Sequence, residues 1–136
     1  MSVVRKFIQR FVASRDAAIA PIFAISLVAL AGVVGVAVDF GRAHAARQAV
    51  QAALDAAVFS AAKDVALKGA DVNQALTRFF NARPPATQGL KITSVSGSSN
   101  TQGVVTGQVV SFLDASFMKV MGINRIDIRA PRKIPL

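Results

Sequence analysis

The most apolar stretch of the chain runs from residue 17 to residue 38, where no residue is charged and Ser26 is the only polar side chain. About 20 helical residues cross the roughly 30 Å hydrocarbon core of a bilayer, so this stretch predicts a transmembrane helix. Pro21 falls near the predicted start, where its missing N–H removes no helical hydrogen bond. The residues assigned to the membrane anchor are Pro21, Ile22, Phe23, Gly32 and Gly35.

Residues 1–16 precede this span with a basic, amphipathic pattern. Apolar side chains between Val3 and Val12 share one helical arc, and polar or basic side chains occupy the other. Such a segment lies flat on an anionic membrane surface, and a plain basic signal-peptide region fits the pattern equally well. The positive-inside rule places this end in the cytoplasm. The residues assigned to the anionic inner-leaflet surface are Arg5, Lys6, Arg10 and Arg15.

Residues 39–69 continue the helical pattern beyond the predicted span. They are rich in Ala, Asp64 and Lys68 form a favourable pair four residues apart, and Gly69 supplies a stop. Apolar residues recur every three or four positions and predict one buried face: Val50, Leu54, Ala57, Val58, Ala61 and Val65. Small residues at every fourth position from Ala37 to Ala61 form a second candidate for helix contact, equally explained by the abundance of Ala.

Residues 70–136 predict a small head. A helix over 71–81 begins at Asp71 as N-cap, and strands are predicted over 90–95, 104–113 and 123–130. The predicted details are a turn at 97–100, a bulge at Gly107, a short helix over 115–121 capped by Asp114, and prolines at an edge or a terminus of the sheet. These prolines are Pro131 and Pro135. The fold class is therefore α+β, with a long N-terminal helix and an antiparallel sheet covered by helices on one face.

Composition excludes several functions. The net charge of +9 comes without Trp or Tyr, and no basic cluster alternates with aromatic residues, so nucleic acid is not expected as a partner. The chain has no Cys, and His44 is its only His. Because catalytic and metal sites need several convergent groups, we expect no enzymatic activity, no metal and no cofactor. The apolar run from Phe117 to Met121 is predicted to be core.

Three linked stretches are similar to the TadE/TadG-like family of tight-adherence (Flp) pilus assembly proteins. They are Arg15 to Ala24, then Gly35 to Arg42, then Arg47 with the Gln51 to Ala57 segment. The resemblance implies a pilin-like plan, with a long half-embedded helix that carries a head, and pilus assembly proteins as partners. Apart from the resemblance, a helix of this length outside lipid needs partners along its side, either copies of this chain or other subunits. The candidate residues for these contacts are Asp39, Gly41, Arg42, Arg47, Gln51 and Asp55.

Two departures from the wider family bear on the interpretation. Related pilins favour Gly at the processing site and Glu five residues later, where this chain has Ala17 and Ile22 and no Glu at all. Longer TadG-like members carry a von Willebrand A-type domain, whose metal motif is incomplete at Asp114 to Met118 and for which too few residues remain. The resemblance is thus to a short TadG-like member without that domain.

The expected function is a non-enzymatic, membrane-anchored component of Flp pilus assembly, such as a minor pilin or pseudopilin-like subunit. The expected location is the bacterial inner membrane, with one span, a cytoplasmic N-terminus and an exported head. Two alternatives remain open from the residues. One is a bitopic adaptor or chaperone that binds another membrane protein, and the other is a cleaved, secreted protein.

Overall fold

The computed structural model describes residues 19–135, in which two helices precede a three-stranded sheet. Helix α1 spans Ile19–Lys68 and helix α2 spans Val72–Ala82. The strands are β1 (Leu90–Ser99), β2 (Val104–Asp114) and β3 (Arg125–Pro135), with a short 3₁₀ helix, Met118–Met121, between β2 and β3. The predicted α+β class, with a long N-terminal helix and an antiparallel sheet, is confirmed. The residues assigned to the membrane surface, Arg5, Lys6, Arg10 and Arg15, lie outside the described residues.

The chain divides into two compact units, one ending at Ala37 and the other beginning at Val38. In the first unit, the described residues are entirely helical, and most of their large apolar side chains are exposed. Among residues 19–135, α1 is the one helix long and apolar enough to cross a membrane. Pro21 is the third residue of α1, within the first turn, where backbone N–H groups have no helical acceptor.

The second unit has its own hydrophobic core. Val50, Leu54 and Val58 of α1 are fully buried, together with apolar side chains of α2 and the sheet. The predicted apolar stripe of α1 is confirmed, with Val65 partly buried at its end. The burial of these apolar side chains, which removes their surface from water, is the main contribution to the stability of the unit. The other large contributors are Leu76, Phe80, Val105 and Val109.

Helix α2 begins as predicted. The Asp71 carboxylate accepts a hydrogen bond from the backbone N–H of Gln74 at 2.8 Å, so Asp71 is the N-cap. The Asn73 side chain also accepts from the backbone N–H of Gly97 at 3.0 Å, which ties α2 to β1. The apolar face of α2 therefore lies against the sheet, with Leu76 and Phe80 buried.

The sheet has the order β1-β2-β3 and is antiparallel throughout. The predicted bulge at Gly107 is wrong, because Gly107 pairs regularly with Gly97 and the register shift lies between Ile92 and Ser94. The predicted turn at 97–100 is also too early. Strand β1 continues to Ser99, and the turn follows at Asn100, whose side chain accepts from the N–H groups of Gln102 and Val104.

Gly107 is required by close packing rather than by backbone conformation. A Cβ at this position would clash with Val58 Cγ2 and would lie 3.1 Å from Leu54 Cδ1. The absence of a side chain lets α1 approach the centre of β2 closely. The glycine in this strand is therefore explained by the packing of α1 on the sheet.

Strand β3 is longer than predicted. Its two prolines take the positions that the sequence predicts, an edge or a terminus: Pro131 pairs in register with Gln108, and Pro135, the last residue of the strand, pairs with Val104. Within the described sheet, β3 is an edge strand with one neighbour, and an edge strand tolerates a residue without an N–H.

Candidate functional site

The most unusual side chain of the second unit is Asp39, which directly follows the apolar run in the sequence. Only 1% of Asp39 is exposed, although isolated charges are rarely buried. Its carboxylate accepts hydrogen bonds from three consecutive backbone N–H groups. The distances are 3.1 Å from Ser116 to both oxygens, and 2.8 Å each from Phe117 and Met118 to Oδ2.

These three donors explain how a carboxylate can be buried here. A charge removed from water is tolerated when hydrogen bonds replace its hydration. The hydrogen bond from the Met118 N–H, helped by those from Ser116 and Phe117 and by the Arg42 charge, lowers the pKa of Asp39 despite burial, which acts in the opposite direction. Asp39 is therefore an ionised anchor for the chain that leaves β2.

Arg42, one turn further along α1, contacts both Asp39 and the segment that follows β2. Its Nη1 lies 3.6 Å from Asp39 Oδ1 and donates a hydrogen bond to Ser116 Oγ. Arg42 remains 36% exposed, so the ion pair alone is a weak contribution and the hydrogen bonds to Asp39 dominate. We call Asp39, Arg42 and the backbone of 116–118 the aspartate latch.

The latch holds the loop of residues 115–124, here named the β2–β3 loop. Of the predicted short helix over 115–121, the structure has only a 3₁₀ helix over Met118–Met121, and the predicted cap by Asp114 is wrong. Asp114 lies in β2 and binds Lys91 at 3.0 Å, and the only helical turn in the loop is the 3₁₀ helix Met118–Met121. The carboxylate that accepts from the N–H groups of 116–118 belongs to Asp39, which is distant in sequence, and not to Asp114, for which the sequence predicts this role.

The side chains of this loop are not core, contrary to the prediction. Val120 is 92% exposed, Met121 67% and Phe117 54%, while Met118 is partly buried. The loop is nevertheless closed by backbone hydrogen bonds, from Ala115 N to Asn124 O at 3.0 Å and from Ile123 N to Met118 O at 3.1 Å. The prediction is wrong because the apolar character of these side chains does not by itself determine whether the fold buries them.

The other helix-interaction candidates have different surroundings. Asp55 binds Arg132 of β3 at 3.0 Å, so its charge is used within the head. Gly41, Arg47 and Gln51 are exposed, and a Cβ added at Gly41 would meet nothing within 4 Å. The structure thus brings Asp39 and Arg42 together in the latch, engages Asp55 elsewhere, and leaves three candidates on the surface.

The residues predicted to form the membrane anchor lie in the first unit. Pro21, Ile22, Phe23 and Gly32 are exposed, and Gly35 is buried. This pattern is that of a helix whose apolar side chains find few partners within the chain. Ser26 satisfies its hydroxyl locally by donating to the Ile22 carbonyl at 2.9 Å.

His44 has a local role. Its Nε2 lies 3.0 Å from the Gln48 side-chain nitrogen one turn later. Across residues 19–135 no group of three or more His, Asp or Glu side chains is arranged to hold a metal ion.

Sequence reasoning identified Asp39 and Arg42 but missed Ser116, Phe117 and Met118 as their partners. These residues contribute backbone N–H groups and one hydroxyl, and backbone donors leave no signature in a sequence. The nearest available signal was the placement of a charged residue directly after an uncharged run, which fixes neither burial nor partner.

Comparison with known families gives a match to part of the chain. Residues 17–64 match the model of the Flp pilus-assembly TadE/G-like family, which confirms the resemblance for this segment. The match covers the apolar run, Asp39, Arg42 and the apolar stripe, and it indicates involvement in Flp pilus assembly. No curated protein and no solved structure matches the chain.

Proposed function

Since residues 17–64 form a TadE/G-like segment, we propose that the chain is a non-enzymatic, membrane-anchored subunit of Flp pilus assembly, of the minor-pilin or pseudopilin kind. The observation that carries the proposal is the extent of the matched segment. It includes both the apolar run suited to a membrane and the stripe that forms one wall of the head core. One helix thus contributes to the anchor and to the folded head.

The chemistry of the second unit supports a structural role. Several of its carboxylates form ion pairs that join different elements, Asp55 with Arg132 and Asp64 with Arg78. The latch likewise holds a loop to a helix. Since the carboxylate of Asp39 is occupied by N–H donors, it is not free to act as a base.

We assign the partner-binding surface to the exposed part of α1 from Gly41 to Gln51, which includes Arg47. These residues lie in the matched segment but outside the head core. Gly41 offers close backbone approach, and the exposed Arg47 and Gln51 offer polar contacts four residues apart. Pilus assembly proteins or a second copy of the chain would bind here through a helix.

The test is complementation of a strain in which the gene is deleted. The wild-type chain is expected to restore surface filaments, and Arg47→Asp is expected to abolish them without lowering the cellular amount of the chain. Lys133→Asp is the matched control, because Lys133 is exposed on β3 and lies outside the matched segment. Asp55 is unsuitable for charge reversal, since it would confront Arg132 within the head.

The outcomes separate the parts of the proposal. A deletion strain with normal filaments would contradict a role in assembly. Rescue by Arg47→Asp equal to that by wild type would contradict the assignment of partner binding to this surface of α1. Detection of the chain in sheared filaments supports a pilin-like subunit, whereas a required chain confined to the membrane fraction would contradict filament entry and favour an assembly adaptor.

A further inference from the structure

The β2–β3 loop presents a cluster of large apolar side chains to solvent. Phe117, Val120, Met121 and Ile123 are all exposed, with Val120 almost fully so. Exposed large apolar side chains concentrated in one short loop mark a candidate interaction surface. Their exposure is not a consequence of a loose loop, because the latch and the loop's own hydrogen bonds hold the backbone.

Most backbone N–H groups of this loop donate to acceptors within the chain. The N–H groups of 116–118 donate to Asp39, and the Gly122 N–H donates to the Lys119 carbonyl at 3.0 Å. Further internal bonds close the loop at Ala115 and Ile123. Unpaired backbone groups are what makes irregular segments costly in lipid, so a loop of this kind can enter a water-poor region at low cost.

The latch also determines where the loop lies along the chain. Asp39 is covalently next to Val38, the last residue of the uncharged run. Three hydrogen bonds to Asp39 therefore place the start of the loop where the chain leaves that run. When the run spans a bilayer, Asp39 lies at the membrane–water boundary, and the loop lies there as well.

From these observations we infer that the β2–β3 loop is a second membrane contact, which inserts Val120 and Met121 into the headgroup region where α1 leaves the bilayer. The inference rests on the proposed membrane span. Lys119 is the only charged residue within 115–124 and is cationic, which suits anionic phospholipid. A bilayer is the occupant because the loop is joined directly to the end of the membrane-spanning run.

Site-specific fluorescence in vesicles tests this contact. The chain has no Cys, so Val120→Cys, Leu30→Cys and Thr101→Cys can each be labelled singly with an environment-sensitive dye. The full chain is reconstituted into phosphatidylcholine–phosphatidylglycerol vesicles with or without nitroxide-labelled lipid. Thr101 is the control for Val120, because it is exposed in the turn at the opposite end of β2.

The expected result is a blue-shifted emission at position 120 with several-fold quenching by the nitroxide lipid, and neither effect at position 101. Met121→Cys should reproduce the result. Quenching at Leu30 but not at 120 or 121 would overturn the loop contact alone. A blue shift at 120 without lipid quenching would assign the loop to a protein partner and also overturn it. Absence of quenching at Leu30 would overturn the proposed span itself.

Discussion

At the scale of single residues, the latch shows how one carboxylate can organise a loop that is remote in sequence. Asp39 binds three successive N–H groups, as a helix N-cap does, but it comes from a different element. Charge at this point in the chain therefore has a structural use in addition to marking the end of an apolar run. The role suits a carboxylate, because an amide would keep one acceptor oxygen but lose the negative charge and turn its NH2 group toward an N–H donor.

Asp39→Asn should loosen the β2–β3 loop and lower the thermal unfolding midpoint of the head. The N–H groups of Ser116, Phe117 and Met118 lose their charged acceptor, so their hydrogen exchange should accelerate strongly. Asp127→Asn is the matched control, since Asp127 is 61% exposed and makes only a 3.6 Å contact with Arg125. Unchanged exchange at 116–118 in Asp39→Asn would show that the carboxylate does not hold the loop.

The same residue gives a prediction for pH. The folded state lowers the pKa of Asp39 below its ordinary value of 3.8, so the folded state binds this proton less readily than the unfolded state. The stabilisation by Asp39 is therefore fully present above about pH 3.8 and is lost as the pH falls through the lowered folded value. The stability difference between wild type and Asp39→Asn should be constant near neutral pH and shrink in acid.

Comparing these two proteins is necessary because other carboxyl groups titrate similarly. Hydrogen bonds from Lys68 and Lys91 lower the pKa of Asp64 and Asp114, respectively. Both contribute equally to wild type and variant, so the difference isolates Asp39. A difference that grows in acid, measured by chemical denaturation at several pH values, would be inconsistent with an ionised latch.

At the scale of elements, packing between α1 and β2 depends on a missing side chain. Gly107→Ala should destabilise the head by about 1–3 kcal/mol, because its Cβ would displace Val58 and press on Leu54. Gly41→Ala is the matched control in the same chain. Its Cβ meets nothing, so an Ala in the helix interior should instead add up to about 1 kcal/mol. Denaturant titration of both variants measures the contrast, and equal effects would contradict the close approach.

The elements differ in how well their sequences predict them. The apolar stripe of α1 and the Asp71 cap follow from local spacing, and both are present. The register shift near Thr93, the close approach at Gly107 and the latch at Asp39 depend on contacts between distant segments. Local patterns carry no information on such contacts, so these features could not be predicted from the sequence.

Two predictions from residue type show what the fold adds. The run Phe117 to Met121 is apolar and predicts core, yet most of its side chains are exposed, whereas Pro131 predicts an edge or a terminus and lies in an edge strand. Burial depends on what the fold places beside a residue, and the tolerance for proline depends on whether the strand is an edge. Both properties belong to the tertiary arrangement.

At the scale of the whole molecule, the two units present different surfaces. The second unit buries its own core, whereas the described part of the first exposes a nearly continuous set of apolar side chains. Exposed apolar surface of this extent is unfavourable in water and favourable in lipid. The central claim is therefore that a membrane shelters residues 17–38 while the head stays outside the hydrocarbon core.

The most direct test is an alkaline carbonate wash of membranes from cells that express the chain, followed by the intact mass of the retained form. The account predicts that the chain stays with the membrane pellet and that its mass includes residues 17–38. A chain released into the supernatant, or a retained form that lacks this segment, would contradict it.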